Sequence, residues 1–159
     1  MSNRITAILI SISTILAFSS SGRSQNADIQ RRAGYIYGYM NTLTANLWEC
    51  ADFDKQNAVA YVNAFDQYIK EVQPVANRVV MIISTEARRS GASSEDVSKA
   101  LVDAKRMAAE PAAEARQRDP AGFLVMCRAR LAASSRHLLD FRPLREAFPD
   151  HMRAIDEWK

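Results

Sequence analysis

Apolar residues recur every three or four positions along most of this chain, the spacing of a helix that buries one face. Ile29, Ala33, Ile36, Met40, Leu43 and Leu47 trace the first such stripe, and Asp28 is placed to cap it. Tyr35, Tyr37 and Tyr39 alternate as a strand would, and Gly34 and Gly38 interrupt the stripe, but the longer spacing on both sides predicts helix. Asp52 or Asp54 is placed to cap a second helix, with Val59, Val62, Phe65, Ile69 and Val72 as its buried stripe. Pro74 removes a backbone donor and crowds the preceding turn, so this helix is expected to kink or end there. Val75, Val79, Ile82 and Ile83 carry the apolar face on to Arg88 and Arg89, and Gly91 is the stop.

Ser93 and Asp96 have the spacing of a capping box, which opens a helix with the face Val97, Leu101, Ala104 and Ala108. Pro111 is expected to end or bend it, with residues 112–118 as a soluble connector or, alternatively, a helical continuation. Asp119 followed by Pro120 is a good helix start, and Leu124, Cys127, Leu131 and Leu138 form the next face. Pro143 and Pro149 cut the rest into two short pieces, which Phe148, Met152, Ile155 and Trp158 give something to bury. The expectation is an all-α, single-domain bundle of four to five helices over residues 28–159, with short connections between antiparallel neighbours.

The first residues change the picture of where the chain works. Arg4, an apolar run from Ile5 to Phe18 and small residues around Ser19 have the form of a secretory signal peptide at 1–19. Cleavage is expected after Ser19, or else after Ser21 or Gly22, leaving a loose mature start at 20–27; an uncleaved anchor is the alternative. The run of about 14 residues is short of the roughly 20 that a spanning helix needs, and no later segment is apolar enough to span. A periplasmic or secreted protein is expected. Cleavage lowers the net charge of +3 by one, too weak a surplus to imply nucleic acid.

In an exported chain the two cysteines, Cys50 and Cys127, read as one structural disulfide, with free or intermolecular thiols as the alternative. Their wide separation lacks the close spacing of redox pairs. Trp48, Cys50, Asp52 and Phe53 resemble the stretch near the first cysteine of the HdeA-type periplasmic acid chaperones, which are also small, exported, all-helical and held by one disulfide. The resemblance spans six residues of 159, and the cysteines here lie further apart, so no function is carried over from it. Trp48 and Phe53 are expected to pack around the bridge.

Two surfaces are candidates for binding. Gly34 and Gly38 share one helix face and allow another backbone close; the packing is expected to be internal, or else a partner groove lined by Tyr35 and Tyr39. Arg128, Arg130, Arg136, Arg142 and Arg145 are opposed locally only by Asp140, a basic stretch that could be a solvated face or could meet a lipid head group, polysaccharide or acidic protein.

Nothing nominates an enzyme, metal or cofactor. The acids from Asp52 to Gln56 lack the glycine and glutamate of a calcium loop. His137 and His151 have no metal-ligand spacing around them. Ser134, His137 and Asp140 lie three apart on one helix, a poor geometry for a triad. The function expected is protein–protein contact in a bacterial envelope, as an inhibitor, immunity-type or chaperone-like protein; the alternative is a module that binds an anionic envelope component through Arg128–Arg145.

Overall fold

The computed structural model describes residues 24–137 and 141–159. The leader expected at 1–19, its cleavage sites to residue 22, Leu138 and Asp140 lie outside them. The described residues form six helices: α1 (Ser24–Phe53), α2 (Ala58–Arg89), α3 (Ser94–Arg118), α4 (Pro120–Ser134), α5 (Leu144–Ala147) and α6 (Pro149–Glu157), with a 3₁₀ turn at Lys55–Asn57. This is the all-α bundle expected, four long helices with a two-piece tail.

Helix α1 is the central member, packed against α2, α3, α4 and α6. Its expected stripe is buried without exception: Ile29, Ala33, Ile36, Met40, Leu43 and Leu47. Helix α2 returns antiparallel to it, with Trp48 and Phe65 ring to ring at 5.0 Å. Helix α3 runs parallel to α1. The Tyr37 hydroxyl donates to the Leu101 carbonyl at 3.3 Å near one end, and Arg116 pairs with Asp52 at 2.6 Å near the other. Helix α4 runs back beside α1, with Phe53 edge-on to Phe123 at 5.5 Å. Tyr61, Ile36, Leu47, Ile82, Ile83, Met152 and Ile155 are fully enclosed. Burial of such aliphatic side chains stabilises by about 1.5–3 kcal/mol each.

Cys50 and Cys127 are bonded, with their Cα atoms 5.4 Å apart and both side chains fully buried. The bridge joins the last turn of α1 to the middle of α4. Trp48 does not pack around it: that ring is 52% exposed and lies on Phe65.

Several ends follow the sequence. Ser93 and Asp96 form a reciprocal capping box at α3. Asp119 accepts from the Gly122 backbone N–H at 2.9 Å, with Pro120 opening α4. Gly91 closes α2 at φ 93°, where its N–H bonds Arg88 O and the Ala92 N–H bonds Ala87 O, a Schellman ending.

Other ends differ. Helix α1 is already formed at Ser24, so Asp28 is not a cap; it pairs with Arg31 and Arg32 one turn on. Neither Asp52 nor Asp54 caps α2, whose N-cap position is Asn57, and its side chain makes no capping bond. Pro74 and Pro111 end nothing: α2 and α3 run through them. Pro74 lies on the exposed face, where the carbonyl it strips of a donor can meet water. The stripe of α2 is also shifted. Val59 is 75% exposed, and Tyr61, Ala64 and Tyr68 turn inward instead. Val62 and Phe65 pack at its edge, and Ile69 is half-buried. No helix among the described residues is long and apolar enough to cross a membrane.

Candidate functional site: a cleft between α1, α2 and α3

Helix α3 lies along α1 but meets α2 at fewer points, so the two walls diverge and leave a cleft floored by α1. Its volume is about 390 Å³. Tyr37, Met40, Asn41 and Thr44 line it from α1, Ile69, Val72, Gln73, Ala76, Asn77 and Val80 from α2, and Lys105 from α3. Its apolar part is Met40 on α1 with Ile69, Val72, Ala76 and Val80 on α2. The rim is made of uncharged amides and a hydroxyl whose bonds are mostly local. Asn41 Nδ2 donates to Tyr37 O at 2.7 Å, Thr44 to Met40 O, and Gln73 Nε2 to Asn77 Oδ1 at 2.7 Å. Lys105 is the only charged lining residue, and it is exposed without an ion pair among the described residues.

Three large apolar side chains that face water lie one helical turn in sequence from residues that line the cleft. Trp48 lies one helical turn beyond Thr44, Met81 one turn beyond Asn77, and Val102 one turn before Lys105. They are 52%, 46% and 65% exposed.

The residues expected to form a partner groove lie on another face. Gly34 and Gly38 are buried, and Tyr35 and Tyr39 are half-buried against the tail. The Phe148 ring meets Tyr35 at 5.5 Å and Tyr39 at 4.7 Å, both edge-on, and His151 sits 4.9 Å from Tyr35. The face offered to a partner is filled by the chain's own C-terminal segment, held further on by Arg78. Its guanidinium donates to the Ile155, Asp156 and Trp158 carbonyls. Trp158 reaches Glu86, a carboxylate only 2% exposed that also pairs with Arg89 at 2.6 Å.

The basic stretch is not one free surface. Arg128 donates to Asp54 at 3.2 Å, and Arg145 is paired bidentately with Asp156. Arg130 contacts the Met126 sulfur at 2.7 Å. Arg136 and Arg142 are exposed. Asp54 is itself a buried acceptor beside the bridge. The Asn57 amide at 2.9 Å, then Arg128 and the Tyr61 hydroxyl, hold its carboxyl below the usual range. Burial, reinforced by the Asp54 charge, pushes Tyr61 up to about 12. Ser134 donates to Leu131 O at 2.8 Å, while His137 faces Glu71 at 3.9 Å.

The cleft was hidden in the sequence because its residues are not consistently apolar. Tyr37, Asn41, Thr44 and Trp48 do recur at helical spacing, as do Phe65, Ile69, Gln73, Ala76 and Val80. A second stripe ending in an outward tryptophan was the available signal. No protein-family model, no curated protein and no solved structure matches the chain.

Proposed function

We propose that this chain is an exported, non-enzymatic protein of the bacterial envelope that works by binding another protein at the α1–α2–α3 cleft. The observation that carries this reading is a partly apolar cleft with exposed Trp48, Met81 and Val102 each one helical turn in sequence from its lining, because a partner that covers such groups gains their burial. The Cys50–Cys127 bridge supports an oxidising compartment, in keeping with the leader-like start of the sequence. Inhibitor, immunity-type and chaperone-like roles all use such a rigid, stapled surface. The alternative, an anionic envelope component at Arg128–Arg145, has less support because two of its five arginines are committed to Asp54 and Asp156.

The test places a photocrosslinking amino acid at Val102, on the cleft rim, or at Val125, an exposed valine of α4. The protein is expressed with its leader and irradiated in intact cells. A discrete adduct from position 102, absent from position 125 and lost with Trp48→Asp, is the expected outcome. The same adducts from both positions, or none from either, would overturn the reading.

A further inference from the structure

We infer that the cleft is the seat of one amphipathic helix of the partner, its apolar stripe down on Met40, Ile69, Val72 and Ala76 and an acidic side chain meeting Lys105. This rests on the protein-binding reading and adds the chemistry of the occupant. Three features carry it. First, one helix forms the floor and two helices form the diverging walls, the place where the next member of a bundle would lie. Second, the cleft is elongated along α2: its lining runs from Ile69 to Val80, a rise of about 16 Å, or three turns of a helix. Third, the charge is one-sided: Lys105 is the single charge in the lining, with no acid in the cleft to answer it. The floor therefore selects a stripe at helical spacing, and Lys105 selects its flank and direction.

The probes are labelled synthetic helical peptides of about 15 residues, with apolar stripes varied among Leu, Met and Phe. Each is made with one flanking glutamate, with lysine in its place, and with a central proline. Binding to the full mature chain, disulfide intact, is followed by fluorescence anisotropy. The glutamate peptides are expected to bind roughly fivefold tighter than their lysine twins, the size of an exposed ion pair. Lys105→Glu should invert that order, while Arg136→Glu, in the exposed turn after α4, should leave it unchanged. The proline peptides should bind weakly.

Absence of saturable binding across the panel, indifference to Lys105→Glu, or undiminished binding of the proline peptides overturns the inference. So does displacement by a fatty acid with no peptide binding, or a self-associated chain in sedimentation that buries the rim. If position-specific crosslinking at Val102 succeeds while these peptide results fail, protein binding stands and the helical occupant falls. If crosslinking itself shows no position dependence, the broader reading falls first.

Discussion

The indole nitrogen of Trp158 donates to the Glu86 carboxylate across 3.0 Å, tying the segment after α6 to the buried seam of α2. The guanidiniums of Arg78 and Arg89 lie 5.7 and 6.0 Å from the same ring. Removing the ring leaves Glu86 buried with Arg89 alone. Trp158→Ala is expected to cost about 1–3 kcal/mol and to expose Arg153 to trypsin sooner than in the parent chain. Trp158→Phe keeps the ring without the donor and should fall between them. Identical cleavage rates for all three proteins would remove the latch.

The bridge closes a loop with a sequence separation of 77. On the chain-entropy account such a closure stabilises by about 4–5 kcal/mol. Cys50→Ala combined with Cys127→Ala should lower the unfolding free energy read from urea titration by most of that amount, with a lower midpoint, and reductant should then change nothing further. A double variant with the parent's midpoint would show that the staple is idle.

The Asp54 cluster gives a pH dependence at both ends of the scale. Asp54 is held low in the folded state, so its contribution is present above the unfolded carboxyl value and lost as pH falls through the folded one. Stability should decline below about pH 4, and Asp54→Asn should flatten that decline while lowering stability at neutral pH. Tyr61 is raised to about 12, so its contribution is intact below about pH 10 and lost between there and 12. Tyr61→Phe should reduce the alkaline loss, leaving the part due to Tyr37, which burial also raises. Urea titrations across pH check both slopes, and parallel curves for parent and variants would contradict the assignment.

At the start of α4 a cap and a glycine act as one device. A Cβ on Gly122 would collide with the Asp119 carboxylate that accepts its N–H. Asp119→Ala and Gly122→Ala should each cost about 0.5–2 kcal/mol. The two together should cost little more than either alone, because both remove the same bond. Fully additive losses in thermal unfolding would separate the two effects.

Much of this bundle could be read from spacing and end signals. The stripe of α1 is regular because one face of that helix is buried along its length, and Ser93, Gly91 and Asp119 announce ends through local bonds that need no tertiary context. The stripe of α2 was misplaced for a physical reason. Tyr61 and Tyr68 are amphipathic and turn inward, while Val59 sits on the outer face of the first turn. Proline likewise misled, since Pro74 is exposed and the packing of α2 on both sides outweighs a missing hydrogen bond. The cleft was least legible. It depends on how far α3 diverges from α2, a tertiary relation that no window of sequence contains. The cysteine pair was legible in its bonding but not in its surroundings, since Trp48 faces outward against Phe65.

The position of the bridge has a mechanical consequence. Tension applied at the two termini passes along α1, crosses the Cys50 and Cys127 sulfurs and continues through α4. Helices α2 and α3 lie within the covalent ring and off that load path, so a pull on a tethered chain would be borne without drawing apart the two walls of the cleft.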